Sequence, residues 1–118
     1  MMVSLMEYAG EIRRLSEQID NGLRTLRESA MSATQAEHDY RKARAVAWAK
    51  APAGTVPVRE AWVESETAQQ RMDLDTAEGM KLAALESVRS RRQQLSAVQS
   101  LLAAHRSEAD FERMRPDA

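Results

Sequence analysis

Apolar residues recur at steps of three and four along nearly the whole first half of the chain: Leu5, Tyr8, Ile12, Leu15, Ile19, Leu23, Leu26, Ala30, Ala33, Ala36, Tyr40, Ala43 and Ala47. Those steps hold one stripe on one face of an α-helix, as a coiled-coil seam requires. Two consecutive fours through Ile19 and two consecutive threes through Ala33 alter the local winding without ending the helix. Ser4 followed by Glu7 has the form of a capping box and marks the start. Pro52 disfavours the helical conformation at the residue before it and sets the stop. The first helix is therefore predicted over about residues 4–51. Gly10 and Gly22 within it each cost about 1 kcal/mol relative to alanine.

The segment Ala51 to Val58 holds two of the three prolines and one of the four glycines. A turn over residues 52–55 is predicted there. Thr55 is the N-cap of the second helix, and Pro57 falls in its first turn, where no backbone donor is lost. The second stripe reads Val58, Trp62, Ser65, Ala68, Met72, Ala77, Met80, Ala84, Val88, Arg91, Leu95, Val98 and Leu102. Pro116 ends it, giving a second helix over about residues 56–114. At 1.5 Å per residue each helix is about 70–85 Å long.

A short turn makes the two helices antiparallel neighbours. The predicted fold is all-α: one domain over residues 1–118, two long helices in an antiparallel coiled-coil hairpin. Facing residues sum to about 106, from a turn centred near Ala53. Leu5 then meets Leu101 or Leu102, Tyr8 meets Val98, Ile12 meets Leu95, Leu23 meets Ala84, and Leu26 meets Met80. Arg41, Lys42 and Arg44 fall opposite Glu64, Glu66 and Glu60, and Glu17 falls opposite Arg89. Exposed pairs of this kind contribute about 0–1 kcal/mol each, so they select register more than they stabilise.

Composition narrows the picture. Apolar residues make up 43% of the chain but aromatics only 4%, which suits a thin helix–helix seam. A net charge of −1 gives no global field toward nucleic acid or an acidic membrane. The absence of cysteine excludes disulfides, thiolate catalysis and Cys-type zinc sites, and fits a reducing cytosol. The start, Met1 to Glu7, lacks a basic segment and meets an acid too soon for a signal peptide. The longest apolar run, Ala45–Ala49, is too short to span a bilayer. A cytoplasmic protein with no membrane partner is expected.

A second apolar set lies off the seam: Leu74, Leu82, Leu85 and Leu101 on helix two, Met6 and Met31 on helix one. A lone hairpin cannot bury both sets, whereas self-association into a four-helix bundle, or a partner helix, can. Trp48 and Trp62 flank the turn. Either they cap the closed end of the hairpin, or with Val46 and Val63 they form an apolar tip that grips a partner. Leu74, Leu82, Leu85 and the two tryptophans are thus the candidate partner-binding residues. In the expected register Arg13, Arg14, Arg89, Arg91 and Arg92 cluster at one height, with Arg106 nearer the open end. Such a belt either docks a phosphate or an acidic partner, or is solvated and relieved by Glu11, Glu17 and Glu86. It has no aromatic residue on which bases could stack, which argues against a single-strand platform.

Nothing in the chain has the spacing of an active site. The glycines are too far apart for a phosphate-binding loop. His38 and His105 are preceded at the di-metal spacing by Gln35 and Leu102, where glutamate is required. The run from Asp73 to Ala84 starts like a calcium loop but has Ala77 at a ligand position and Ala84 where the bidentate glutamate belongs. Carboxylate pairs such as Glu60 and Glu64 have nothing beside them to desolvate them. No catalytic residue, no metal site and no cofactor is expected, and the function read from the residues is binding.

Two stretches carry a family likeness: Arg59-Glu60-Ala61-Trp62, just after Thr55, and the run from Gln94 through Gln99-Ser100 and Arg106 to Glu108. In layout the chain resembles small helical proteins encoded by bacteriophages, over most of its length. Several such proteins sit among DNA-replication and recombination genes. The resemblance implies a phage accessory or structural protein in the host cytoplasm, or a DNA-metabolism accessory. It carries over no catalytic residue, and it gives Gln99, Ser100 and Arg106 a candidate role.

Overall fold

The computed structural model of the chain describes residues 4–115. Among them the fold is all-α, with no strand: α1 (Leu5–Lys50), α2 (Val56–Glu66) and α3 (Ala68–Arg113). The opening Met1–Val3 and the stop at Pro116 lie outside the described residues.

Local sequence explains the helix starts. The Glu7 amide donates to Ser4 Oγ at 3.2 Å and the Ser4 amide to Glu7 Oε2 at 3.3 Å, the reciprocal bonds of a capping box. Thr55 stands at the N-cap of α2 with extended backbone (φ −69°, ψ 157°), but its side chain makes no capping bond. The Thr55 carbonyl already accepts from the Arg59 amide at 3.0 Å, and proline occupies the first turn.

The second half of the chain is interrupted at Thr67, where the periodicity predicted one continuous helix. Thr67 has φ −107° and ψ 12°. Its amide and its hydroxyl both donate to the Val63 carbonyl, at 3.0 and 2.8 Å, and its own carbonyl accepts from the Arg71 amide at 3.0 Å. The hydrogen-bond ladder thus passes through the opening, and the side chain is buried with its hydroxyl satisfied. The buried face consequently changes. It runs Val63, Thr67, Gln70, Leu74, Ala77, in place of Trp62, Ser65, Ala68, Met72. The expected stripe contained a step of five from Met72 to Ala77, which no helix face accommodates; taking in Leu74 removes it. Leu74 is only 6% exposed and belongs to the core, while Met72 and Met80 are each 62% exposed. From Ala84 onward the expected positions are buried or half-buried. On α1 every seam position except Leu5 is buried or half-buried, with Leu15, Ile19, Ala33 and Ala47 the buried ones.

The chain divides into two compact units: a terminal unit, Met1–Leu23 with Glu86–Ala118, and a turn unit, Arg24–Leu85. The terminal unit is centred on Leu15, Ile19 and Val88. Within it Tyr8 meets His105 with ring centroids 5.9 Å apart, and Gln18 Oε1 accepts from Arg91 Nε at 3.2 Å. A Cβ at Gly22 would lie 3.0 Å from Val88 Cγ2. Partner numbers fall as the α1 numbers rise, but each partner lies further along α3 than the expected Val98 for Tyr8 and Ala84 for the Gly22 level. Side chains lean toward the N-terminus of their own helix, so contacts between helices of opposite sense are offset in this direction. Arg89 accordingly pairs with Glu86 on its own helix at 3.2 Å and not with Glu17.

In the turn unit Ala33, Ala47, Val63, Thr67 and Leu74 form the buried centre. Arg44 reaches Glu60 at 3.9 Å, the pair expected from the sequence. Arg41 turns instead to Glu37, one helical turn back, at 2.7 Å.

Candidate functional site

The arginine belt belongs to the terminal unit and is largely consumed by local bonds. Arg14 donates through Nε to Glu11 Oε2 at 2.9 Å and through Nη2 to Glu11 Oε1. That fork holds the Glu11 carboxyl below the usual carboxylate range and raises Arg14. Arg89 is held by Glu86, and Arg91, half-buried on the seam, donates to Gln18 and, at 2.5 Å, to Ser87 Oγ. Because Arg91 meets Gln18, four residues of helix, about 6 Å, separate its level from Arg14. The expected single height is therefore two. Arg13, Arg92 and Arg106 are exposed and make no hydrogen bond or ion pair among the described residues.

At the turn, Trp48 and Trp62 are both half-buried. The Arg59 guanidinium lies over the Trp48 ring, 5.5 Å from its centroid, and Nη2 donates to the Trp48 carbonyl at 3.4 Å. Arg59 Nε is buried without a partner. Val63 is fully buried, so it is no part of an exposed tip; Val46 is exposed, and so are Val56 and Val58. The change of buried face at Thr67 is what draws Val63 inward.

The second apolar set is divided. Leu74 is in the core and cannot meet a partner without unfolding α3, and Leu85 is half-buried. Leu82, Leu101, Met6 and Met31 remain 56–85% exposed.

The turn unit also carries a groove that the residue pattern alone does not predict. Three adjoining hollows, of about 600, 260 and 290 Å³, run along one side of the unit. The first and second share Asp39, Gln70 and Asp73, and the second and third share Ser32. Along α1 the groove extends from Thr25 to Lys50, about 37 Å at 1.5 Å per residue. Its floor is of small residues, Ala36, Ala43 and Ala47 among them. Lys42 and Lys50 stand on the α1 wall together with Asp39 and Glu28, and Glu66 and Asp73 stand on the other. These opposite charges do not meet: Lys42, Lys50 and Glu66 form no ion pair among the described residues, and Asp73 accepts only from Gln69, at 2.9 Å. The other side of the seam is bridged, by Arg44 with Glu60, Arg59 with Trp48, and Arg71 over the Tyr40 ring at 5.6 Å. The only sequence sign of the groove is the run of small and polar residues beside the seam, Thr25, Ser29 and Ser32, next to Ala36 on the seam itself.

Among the described residues no group of three or more His, Cys, Asp or Glu could hold a metal ion, and no helix is long and apolar enough to cross a membrane. No family model, curated protein or solved structure matches the chain.

Proposed function

We propose that this chain is a non-enzymatic, antiparallel coiled-coil hairpin that acts by helix-mediated protein binding and by self-assembly into a larger helical bundle, in the role of a phage-type accessory or structural protein in the host cytoplasm. The observation that carries the reading is the mismatch between core and surface. The buried apolar residues among those described are Leu15, Ile19, Ala33, Ala47, Val63, Leu74 and Val88, a thin seam, whereas Met6, Met31, Leu82 and Leu101 are more than half exposed. A helix pair with apolar residues on a second face gains by covering it. The falling order of contacts in each unit, Tyr8 with His105 before Gln18 with Arg91, and Tyr40 with Arg71 before Trp48 with Arg59, supports the antiparallel pairing. Sedimentation equilibrium of the full chain tests the reading: a concentration-dependent rise above the monomer mass supports it, and a monomer at every concentration refutes self-assembly.

The second reading is a DNA-replication or recombination accessory that touches phosphates through the belt. It is favoured by the three exposed and unpaired guanidinium groups of Arg13, Arg92 and Arg106. Binding of a fluorescent duplex across a salt series tests it. Phosphate contacts give a log–log slope of roughly −0.9 per contact, and Gln at these positions should flatten that slope by about as many contacts as are lost. No salt-dependent binding refutes it.

A further inference from the structure

The unpaired arginines of the terminal unit fall on one side of its seam. On α1, Glu11 and Gln18 stand seven residues apart and so share a row, which Glu7 and Arg14 adjoin at steps of four and three. Gln18 accepts from Arg91, and Arg91 also donates to Ser87, so Ser87 and Gln94, seven apart, mark the same side on α3. The other side differs. Arg92, Gln99 and Arg106 recur every seven residues along the far edge of the α3 seam, and all three are exposed. The matching row on α1 is Ala9 and Ser16, across Ile12, Leu15 and Ile19 from Gln18, with Arg13 one step outward. Charge is therefore sorted. Glu7 and Glu11 lie with Arg14 and Arg91 on one side, while Arg13, Arg92 and Arg106 on the other meet no carboxylate. From Ser87 to Ser107 α3 has no acidic residue at all. Carboxylates mark only the ends of this flank. By the Gln18–Arg91 contact, Glu17 and Asp20 on the outer face of α1 are level with Arg92 and Arg89, Arg89 is held by Glu86, and Glu108 follows Arg106.

We propose that this flank binds the sugar–phosphate backbone of a nucleic-acid duplex without reading its sequence. The inference rests on the nucleic-acid reading above and names the surface used: one flank, and not a belt around both helices. Arg92 and Arg106 stand about 21 Å apart along α3, the length of roughly six base pairs at 3.4 Å each. Guanidinium forks, the Gln99 amide and the Ser16 hydroxyl are groups that donate to phosphate oxygens. Ala9 and Ser16 keep the α1 edge low, so a rigid cylinder can lie along the row. The flank has no aromatic on which unpaired bases would stack, which selects the backbone of a duplex over a single strand. It also lacks the large apolar anchors that dominate protein interfaces.

The test compares two isosteric changes in the full chain, Gln99→Glu on the flank and Gln94→Glu on the Arg91 side, by fluorescence anisotropy with short duplexes of two unrelated sequences. Both positions are exposed and both changes alter net charge equally, and at physiological salt a charge acts over only about 8 Å. Gln99→Glu should weaken binding at least about tenfold for both sequences, and Gln94→Glu about twofold or less. Equal effects would overturn the flank while leaving the nucleic-acid reading standing on diffuse charge. No binding by the parent chain at low salt would remove both. Competition by polyglutamate as effective as by unlabelled duplex would assign the flank to an acidic protein and overturn the inference. Far-UV circular dichroism checks folding. Should Gln99→Glu lose helicity, the salt dependence of the parent and of single arginine variants serves instead. Three phosphate contacts give a log–log slope of about −2.7. Gln at Arg13, Arg92 or Arg106 should each flatten it by about 0.9, and Arg14→Gln, of the same charge change but on the other side, should leave it unaltered. An equal flattening by Arg14→Gln would overturn the inference.

Discussion

Alanine at the three helical glycines separates packing from propensity within one molecule. Gly10, Gly22 and Gly79 all lie inside helices with no positive φ, so alanine fits the backbone at each. Replacing a mid-helix glycine by alanine gains about 1 kcal/mol from propensity alone. At Gly10 and Gly79 nothing lies within 4 Å of the added carbon. Both substitutions should therefore stabilise by about 1 kcal/mol, or roughly 3–6 °C in Tm for a domain of this size. At Gly22 the added carbon would lie 3.0 Å from Val88 Cγ2. Carbon atoms rest best about 3.5–4.0 Å apart, so Val88 must move. It is 2% exposed, and a β-branched side chain in a helix has essentially one rotamer. Overpacking of this kind costs about 1–3 kcal/mol. The sum for Gly22→Ala is therefore a loss of about 0–2 kcal/mol, opposite in sign to its two controls. Urea unfolding followed by circular dichroism measures all three, and in a Val88→Ala background, itself destabilised by the lost core methyls, Gly22→Ala should recover most of the propensity gain relative to Val88→Ala alone. If Gly22→Ala raises stability as much as the other two, the close approach of α1 and α3 at this level is wrong.

Leu74→Ala should cost about 2–5 kcal/mol, as for a buried leucine, and Leu82→Ala less than about 0.5 kcal/mol in dilute monomer; equal costs in urea titrations would return Leu74 to the surface. Thr67→Val keeps the shape but removes the hydroxyl that donates to the Val63 carbonyl, and should cost about 1 kcal/mol by the same assay; a gain would mean that the hydroxyl holds the break open at a cost. The Glu11 carboxyl is held low, first by its hydrogen bond from Arg14. Its contribution to stability is therefore present above its unfolded pKa and fades as pH falls through the lowered folded value. The effect is small because the pair is exposed; an NMR titration should find Glu11 below the usual carboxylate range, and Arg14→Gln should return it to that range.

The seam of α1 was legible because its threes and fours leave no choice of face, and the capping box because Ser4 and Glu7 act over a single turn. The second half of the chain was less so for a definite reason. Around residue 70 two apolar candidates, Met72 and Leu74, compete for the seam, and the choice is made by Thr67, a residue that carries no mark of a helix interruption in sequence. Once Leu74 enters the core, Val63 follows it inward and Met72 and Met80 turn out, which also removes two members from the expected binding surface. Partners across the seam depend on register to within a single turn, so Arg91 with Gln18 could not be read from spacing, whereas Arg41 with Glu37 is an i,i+4 pair that spacing allows and that wins over the cross-seam Glu64. The groove depends on two stripes at once and appears only when both helices are placed.

Light scattering of the full chain across a concentration series, into the high micromolar range, tests the central claim most directly. A self-assembling hairpin has a mass that rises from the 13.2 kDa of one chain to at least twice that value and then stays constant. A mass that remains at one chain throughout would contradict self-assembly, and would leave the exposed leucines without the partner assigned to them.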